Sequence, residues 1–376
     1  MLLVILAGGP VKSVGKVTGG SSRQLIRILD KTLLDRHLEA AQELFERVIT
    51  VSDYVEISSY CRQYSGCEFV EQNGKSIEAS ICSAISHIHR RDYITILYSD
   101  IYADKEILRS HIEKFIKNYQ PIITLTAPIA FHERYTRVSI DYDDYSVRKI
   151  GDGDLVFAGI LTVEASFLRE NLCKKKVGLI DVFKSLSKSG VLLADVWRGS
   201  WVDIDTPWDY MLATRIELSK LNSIYISGES RVSDRAELEP PVYVSDGAII
   251  DHYAIVKGPV YNDTGALIGA HSFVRSYTAV YQDAIIGAYS EVKRSIVYNQ
   301  ARVSSHCYIT DSVIGFKAVV SPYTVTLNIP YREVSRYIKL TTSYPLEELK
   351  IGSIIGAGSR TKPHEAIEPA TLYENR

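Results

Sequence analysis

The stretch ISGESRVSDRAELEPPVYVSDGAIIDHYAIV, residues 226–256, decides the fold of the C-terminal half of the chain. Aliphatic side chains recur in it at every sixth position: Ile226, Val232, Leu238, Val244, Ile250 and Val256. The period resumes after a short reset at Ile268, Val274, Val280, Ile286 and Val292, and again at Val297, Val303 and Ile309. A parallel β-helix stacks one inward side chain per flat face at this spacing, whereas helices and meanders do not. The pattern predicts a β-helix, whose flat faces and open ends favour homo-oligomers, with trimers expected.

Residues 1–222 show a different pattern, in which short β-branched runs alternate with amphipathic helices. This alternation predicts a doubly wound, Rossmann-like α/β domain with an antiparallel hairpin at about residues 138–150. Pro330 and Pro345 interrupt the solenoid spacing later in the chain. The predicted domains are therefore the α/β domain at 1–222, the β-helix at 223–327, and an excursion loop with a terminal β-helix coil and cap at 328–376.

Composition excludes several classes of function. The chain has 376 residues, with 43 basic and 45 acidic side chains and a formal net charge of −2, which lacks the basic excess of a nucleic-acid binder. The apolar run Met1–Ala7 has no basic flank and is too short for a signal peptide or a membrane span, so we expect a cytoplasmic protein without a membrane partner. Five cysteines, odd in number, widely scattered and never in C-x-x-C spacing, argue against a disulfide framework and against a zinc site.

Candidate phosphate ligands follow the first predicted strand. Leu6-Ala7-Gly8-Gly9 ends that strand, and further glycines precede Arg23 in the same loop. Ligands of doubly wound sheets bind outside the carboxyl ends of the strands, where glycines let backbone N–H groups approach phosphate oxygens. The loop matches neither G-x-G-x-x-G nor the Walker pattern, so an ordinary loop stays an equal alternative.

Two aspartates are candidate metal ligands. Asp100 follows the predicted strand Ile94–Tyr98, and Asp203 precedes the predicted helix that begins at Pro207. Carboxylates from two strand ends can hold Mg²⁺ against a triphosphate, because Mg²⁺ takes one or two protein oxygens and completes its shell with water and phosphate. Each aspartate considered alone is better explained as a helix N-cap or a turn residue.

The solenoid contributes a separate candidate group. His306 and Tyr308 lie within the six-residue pattern, and Asn328 opens the predicted excursion loop. A histidine between solenoid coils could be the general base of an acyl transfer. An ordinary surface histidine is the alternative interpretation, so His306 is a tentative base and Tyr308 and Asn328 are tentative acyl-site residues.

These motifs together resemble the sugar-phosphate nucleotidyltransferases that carry a C-terminal left-handed β-helix, especially the archaeal bifunctional nucleotidyltransferase/acetyltransferases. Leu6–Gly9 resembles the start of the family's nucleotide signature, and Ser99-Asp100 resembles its metal-binding Gly-Asp. Ala158-Gly159-Ile160 is similar to its sugar-contacting motif, and Trp201–Trp208 is similar to Trp-x-Asp-Ile-Gly-x-Pro-Trp. Gly352–Gly356 resembles the coil at the acetyl-CoA end of the bifunctional members.

The resemblance implies an enzyme that transfers a nucleotidyl group from a nucleoside triphosphate to a sugar 1-phosphate, releasing pyrophosphate and forming an NDP-sugar. Mg²⁺ would be its cofactor, and acetyl-CoA would be the donor if the β-helix also transfers acetyl groups. The implied residues form four groups: metal ligands Asp100 and Asp203; nucleotide contacts Leu6, Ala7, Gly8, Gly9 and Gly74; the sugar contact Gly159; and phosphate cations Lys12, Lys16 and Arg23.

The signature of this chain departs from the family pattern in its charged positions. Ser13 stands where the family has the arginine that clamps the triphosphate, and Arg23 replaces the family lysine. Lysines at positions 12 and 16 could supply charge but not a bidentate guanidinium. Two alternatives to nucleotidyl transfer therefore stay open: a catalytically silent or regulatory paralogue that acts as a binding or assembly module, and an acyltransferase only.

Overall fold

The computed structural model describes residues 1–88, 92–127, 135–330 and 350–375. Its helices are α1 (Gly15–Thr18), a 3₁₀ turn (Arg23–Leu25), α2 (Leu33–Gln42), α3 (Val55–Cys61), α4 (Ile77–Ile85), α5 (Glu106–Asn118), α6 (Ala165–Leu168), a π-helix (Arg169–Lys174), α7 (Leu179–Lys188) and α8 (Pro207–Leu218). The first strands are β1 (Leu2–Leu6), β2 (Arg27–Ile28), β3 (Lys31–Thr32), β4 (Arg47–Ser52), β5 (Cys67–Glu71), β6 (Tyr93–Tyr98), β7 (Ile101–Ala103), β8 (Ile122–Thr126), β9 (Arg137–Ile140), β10 (Val147–Ile150), β11 (Leu155–Glu164), β12 (Leu193–Trp197) and β13 (Trp201–Asp203).

The strands of the C-terminal half are short and closely spaced. They are β14 (Ile224–Ile226), β15 (Arg231–Val232), β16 (Glu237–Glu239), β17 (Val242–Val244), β18 (Ile249–Ile250), β19 (Ile255–Lys257), β20 (Val260–Asn262), β21 (Leu267–Ile268), β22 (Phe273–Val274), β23 (Thr278–Val280), β24 (Ile285–Ile286), β25 (Glu291–Lys293), β26 (Ile296–Val297), β27 (Arg302–Val303), β28 (Tyr308–Thr310), β29 (Val313–Ile314), β30 (Val319–Val320), β31 (Val325–Thr326), β32 (Ile354–Ile355), β33 (Ala366–Ile367) and β34 (Leu372–Tyr373).

Contacts divide the chain into two compact units. The first comprises Met1–Pro10 and Lys31–Asp203, and the second comprises Val11–Asp30 and Ile204–Arg376. The glycine loop after residue 10 and helix α8 therefore belong, by their contacts, to the unit that contains the C-terminal strands. The domain limits after residues 222 and 327 stay a prediction, and residues 331–349 of the predicted excursion loop lie outside the described residues.

The first unit is built on a mixed sheet. Its central strands run in the order β5-β4-β1-β6, all parallel, and β1 is buried over its whole length. Strand β11 pairs antiparallel with β6 and with β8, and β12 pairs parallel with β8. The antiparallel β9–β10 hairpin lies where the alternation near residue 140 predicted it. Because the chain leaves β1 toward β4 and later returns on the other side at β6, the order switches beside β1, as in a doubly wound fold.

Two disulfides correct the expectation from the cysteine pattern. Cys61 is bonded to Cys67, and Cys82 is bonded to Cys173, while Cys307 is a buried free thiol. The second bridge joins α4 to the π-helix across a sequence separation of 91 residues. Sequence spacing detects metal motifs and regular frameworks, but it cannot show which distant helices pack together. The argument from odd number and scatter was therefore wrong for four of the five cysteines.

The C-terminal strands form a parallel β-helix with three sheets. Their orders are β14-β17-β20-β23-β26-β29-β32-β34, β15-β18-β21-β24-β27-β30 and β16-β19-β22-β25-β28-β31-β33. The interior consists of the residues that recur at every sixth position, from Val244 and Ile250 to Val303 and Ile309, each at most 1% exposed. This arrangement confirms the predicted solenoid. The first coil lies at an end of the stack, and Ile226 is accordingly 44% exposed.

The last coil continues the solenoid after the excursion. Ile354–Ile355 pairs in parallel with Val313–Ile314, and Leu372–Tyr373 pairs with it in turn. The spacing that resumes at Ile351 therefore corresponds to a real coil. Among the described residues, no helix is long and apolar enough to cross a membrane.

Candidate active site

The carboxyl ends of β1 and β6 meet at the strand-order switch of the first unit. Leu6 pairs with Tyr98, so the residues that follow each strand, Gly8 and Asp100, emerge side by side at the same edge. The backbone N–H of Ser99 donates to the carbonyl of Leu6 at 3.3 Å, and the Ser99 hydroxyl donates to the same oxygen. Ligands of open α/β sheets bind in the crevice at such a switch point. The first predicted glycines thus lie at the edge of the sheet where such a crevice is expected.

Gly8 lies close to a neighbouring side chain, and Gly9 has a backbone conformation that favours glycine. A Cβ at Gly8 would lie 2.0 Å from Oε1 of Gln72, and Gly9 has a φ of 96°, which favours glycine. The N–H of Gly9 donates to Asp53 at 3.3 Å, and the Tyr54 hydroxyl donates to the Gly9 carbonyl at 3.0 Å. Apart from its chain neighbours, no atom of the described ranges lies within 4 Å of a Cβ placed on Gly9, so this side of the backbone is open toward a ligand.

A short antiparallel pair brings the two predicted metal ligands together. Strand β13 pairs with β7 so that Asp203 lies opposite Ile101, the residue after Asp100. Carboxylate oxygens of Asp100 and Asp203 lie within 4.8 Å of each other, and both residues are half-buried. Oxygen ligands on one Mg²⁺ are separated by at most about 4 Å, since each lies about 2.1 Å from the ion. The donor chemistry and the spacing fit one hard cation after a small side-chain adjustment.

The wall beside Asp100 is apolar and tightly packed. Burial raises the pKa of the Tyr98 hydroxyl above its ordinary value, and the negative charges of Asp100 and Glu78 raise it further. Gly159 has a φ of 86° and lies within the irregular register of β11, where a Cβ would contact Tyr98 at 3.1 Å. The predicted sugar-contacting residue therefore lies against Tyr98, and the Trp201 indole donates to the neighbouring Ala158 carbonyl at 3.0 Å.

Gln72 is a site residue that the sequence reasoning missed. It follows β5, and its side-chain N–H donates to the Gly74 carbonyl at 2.7 Å. Its Oε1 is buried against Gly8 and accepts no hydrogen bond from the residues that the structure describes. A buried acceptor without a donor is costly, so a ligand donor is expected there. The signal was available, because Gln72 follows a strand of the parallel sheet just as Gly8 and Asp100 do.

The predicted phosphate cations lie in the second unit, and each is ion-paired there. Arg23 is buried and its guanidinium contacts Asp205 at 2.7 Å, while the Lys12 ammonium, 42% exposed, pairs with the same carboxylate. Lys16 pairs with Glu374 at 2.8 Å, and both side chains are nearly half exposed. Asp205 thus neutralises part of the positive charge that the glycine loop carries.

The glycine loop is bonded to the last coils of the β-helix. The N–H of Phe316 donates to the Val17 carbonyl at 2.8 Å, and the N–H of Ala357 donates to the Lys16 carbonyl at 2.7 Å. Gly19, with a φ of 78°, lies against the Phe316 ring, where a Cβ would approach to 2.9 Å. A cavity of about 570 Å³ lies between loop and coils, lined among others by Lys12, Lys16 and Lys317.

The three candidate residues of the β-helix, His306, Tyr308 and Asn328, lie in different environments. His306 is exposed and stacks between two tyrosine rings, with centroids 5.2 Å and 5.0 Å away. Asn328 donates to Asp311 at 2.6 Å, and that buried carboxylate also accepts two bonds from Arg294, at 2.6 and 2.8 Å. Tyr308 is half-buried under the Lys293 ammonium, which lies 5.4 Å from its ring centroid. Asn328 therefore belongs to an ionic corner, whereas His306 belongs to a ring stack.

Comparison with known proteins agrees with the resemblance. Residues 3–138 match the family described as MobA-like NTP transferase domain. The bifunctional protein GlmU of Methanococcus maripaludis strain S2 is 24% identical, and the alignment covers 94% of this chain and 87% of the relative. The bifunctional protein GlmU of strain C7 is 29% identical, and the alignment covers 95% of this chain and 88% of the relative. The chain is therefore homologous to GlmU proteins over nearly its whole length. A solved UDP-glucose pyrophosphorylase from Acinetobacter baumannii covers 59% of this chain and 95% of its own at a TM-score of 0.48 and 14% identity, too little to support an argument.

Proposed function

We propose that this chain is a sugar-1-phosphate nucleotidyltransferase that forms an NDP-sugar and pyrophosphate from a nucleoside triphosphate and a sugar 1-phosphate. The observation that carries the proposal is the pair of carboxylates, Asp100 and Asp203, within 4.8 Å of each other at the sheet edge where Gly8 and Gly9 open the backbone. A family match over residues 3–138 and GlmU relatives along the chain support the same activity.

Asp100 and Asp203 are the residues that would hold Mg²⁺. The ion supplies charge neutralisation of the triphosphate and of the pyrophosphate that leaves. The two carboxylates come from different elements, one after β6 and one at the end of β13. Holding one cation from two elements fixes the position of a bound triphosphate, which is the main catalytic requirement of a reaction that needs little covalent chemistry from the protein.

The remaining residues of the first unit orient the substrates. An oxygen of the sugar 1-phosphate attacks the α-phosphorus, and the bond from that phosphorus to the pyrophosphate oxygen breaks. The open side of Gly9 lets phosphate oxygens approach the backbone, and the unpartnered Oε1 of Gln72 can accept a hydrogen bond from the nucleotide. Gly159, whose backbone packs against Tyr98, stays the proposed sugar contact. Lys12, Lys16 and Arg23 stay the proposed cations for the phosphates.

A pyrophosphate-release screen over nucleoside triphosphates and sugar 1-phosphates with Mg²⁺ tests the proposal. Asp100→Asn should lower kcat/KM by about 100-fold or more, because it removes a charged ligand of the reacting phosphates. Asp92→Asn is the matched control, since Asp92 is an exposed aspartate immediately before β6, at the opposite end of the same strand. Pyrophosphate release from no substrate pair would favour the catalytically silent paralogue, whereas equal rates in both variants would contradict the metal-ligand role of Asp100.

Acyl transfer by the β-helix is a second candidate function. The specific observation in its favour is that His306 is exposed and stacked between two tyrosine rings, so a ring nitrogen can take a proton from the amine of an acyl acceptor in solution. Acetyl-CoA is the proposed donor. Transfer of the acetyl group from acetyl-CoA to an amino-sugar phosphate, measured by release of the free thiol, tests this candidate separately from nucleotidyl transfer.

A further inference from the structure

Six aromatic side chains form one continuous stack along a corner of the β-helix. We call it the Tyr–His stack, and its members in order are Tyr253, His271, Tyr289, His306, Tyr323 and His364. Successive ring centroids lie 4.9, 4.8, 5.2, 5.0 and 4.7 Å apart, with interplanar angles of 19, 4, 4, 7 and 2°. Tyrosine and histidine alternate without exception over the six positions.

The backbone of the solenoid builds this stack. Each of the six residues lies in the left-handed region, with φ between 57° and 61°, and so turns the same corner of a successive coil. Parallel strands lie about 4.8 Å apart, which is also a favourable distance between stacked rings. The three tyrosines are 48–56% exposed. The ring faces are therefore covered by neighbours while the ring edges point to solvent.

In the described part of the chain, His306 is packed between two aromatic rings and has no side-chain hydrogen-bonding partner. Both ring faces are covered, one by Tyr289 and one by Tyr323. No side chain in the described ranges donates to or accepts from a ring nitrogen of His306. A general base is usually oriented by a third group that bonds its second nitrogen. Here the two tyrosine rings can supply that orientation by packing alone.

We infer that Tyr289 and Tyr323 are positioning residues for His306 as the base of acyl transfer; this inference rests on the second candidate function. The amine of the acceptor attacks the carbonyl carbon of the thioester, and His306 takes the proton that the amine loses. The new C–N bond forms as the C–S bond breaks, and the thiolate leaves with the electron pair and takes up the proton that His306 carries. The imidazolium stands between two π faces, which attract a positive charge.

The stack contains its own matched control. His271 lies between Tyr253 and Tyr289 in the same geometry as His306, so Tyr253→Leu opens one face of His271 and leaves both faces of His306 covered. Tyr323→Leu opens one face of His306, while Tyr323→Phe keeps the ring and removes only the hydroxyl. These three variants separate loss of ring packing from loss of a hydroxyl and from general damage to the corner.

Acetyl-CoA and glucosamine 1-phosphate are the probes for the kinetic test, using the full-length chain. Tyr323→Leu should lower kcat about 10-fold with KM changed less than about twofold, as expected when part of a general base's effect is lost. Tyr323→Phe and Tyr253→Leu should retain wild-type kcat. A Tyr323→Leu variant with unchanged kcat, or a Tyr323→Phe variant as slow as the leucine variant, overturns the positioning role.

Ring dynamics give a readout that does not depend on turnover. In protein with ¹³C-labelled histidine, relaxation of the His306 ring should show more motion in Tyr323→Leu than in wild type, and no change in Tyr253→Leu. Unchanged ring motion in Tyr323→Leu overturns the inference even if the kinetics change. A wild-type protein that transfers no acetyl group overturns it together with the acyl-transfer candidate, and leaves the nucleotidyltransferase proposal intact.

Discussion

Asp205 is expected to be the main electrostatic anchor of the glycine loop in the second unit. Its side chain is 5% exposed and pairs with Arg23, which is 6% exposed, and with Lys12, which is 42% exposed. One carboxylate therefore has one buried and one solvated partner. The two pairs should differ in strength, because water screens the lysine but not the arginine.

The burial of each partner sets the expected magnitudes. Removing one member of a buried pair leaves an uncompensated charge and costs about 3–5 kcal/mol, whereas an exposed pair contributes about 0.2–1 kcal/mol. We therefore expect Asp205→Asn to lower the free energy of unfolding by about 3 kcal/mol. Lys12→Ala should lower it by less than about 1 kcal/mol. Arg23→Ala should lower the free energy of unfolding by nearly as much as Asp205→Asn, since it removes the buried cation that pairs with the Asp205 carboxylate.

Chemical denaturation of the full-length chain, followed by circular dichroism, measures these changes. The double variant Arg23→Ala/Asp205→Ala closes a mutant cycle with the single alanine variants, and its coupling should exceed that of Lys12→Ala/Asp205→Ala. If Lys12→Ala destabilises the protein as much as Arg23→Ala, the reasoning from burial fails. It also fails if Asp205→Asn costs less than about 1 kcal/mol, which would mean that Arg23 does not depend on this charge.

Three further outcomes are expected. The variant Cys82→Ala, which loses the Cys82–Cys173 bridge, should destabilise the oxidised protein about twice as much as Cys61→Ala, which loses the Cys61–Cys67 bridge. The reason is that the two bridges span 91 and 6 residues, so the first restricts the unfolded chain more. Thermal unfolding of each variant with and without reductant measures the two losses of stability. Burial lowers the pKa of His111 from 6.5 to about 3. Between these two pH values the unfolded chain binds one more proton than the folded chain, so the free energy of unfolding falls as the pH drops from about 6.5 to 3. Chemical denaturation at a series of pH values should show a shallower fall in His111→Gln than in wild type. Light scattering of the full-length chain should give a trimer, and a strict monomer at micromolar concentration would contradict the prediction made from the solenoid faces.

Periodicity and strand ends predicted most of the architecture. The six-residue spacing specifies the β-helix because inward positions stack on identical positions of the next coil, and each coil repeats the constraint. Asp100 was a candidate because it follows a strand of the main sheet, whereas the antiparallel β7–β13 pair that brings Asp203 beside it was not predicted. Gln72 was missed because its significance lies in an unpartnered buried oxygen against Gly8, which depends on packing across strands.

Pairings between distant segments could not be predicted in the same way. The Cys82–Cys173 bridge depends on how α4 packs against the π-helix, and local sequence carries no record of that contact. The Tyr–His stack was visible in the sequence only as residues about 17 or 18 apart, except for the step that spans the excursion loop. Its meaning required the knowledge that these positions turn the same corner with a left-handed backbone.

The altered glycine loop acquires a physical explanation from its contacts in the second unit. At the position of the family's arginine, the Ser13 hydroxyl donates to the Asp205 carbonyl at 3.1 Å. Lys12 and Arg23 pair with the Asp205 carboxylate, so three polar groups of the loop converge on one residue that precedes α8. A guanidinium at position 13 would add a third cation beside a single carboxylate, and the short serine avoids that repulsion while adding a bond. The departures from the signature are thus mutually consistent as interactions that anchor the glycine loop within the second unit.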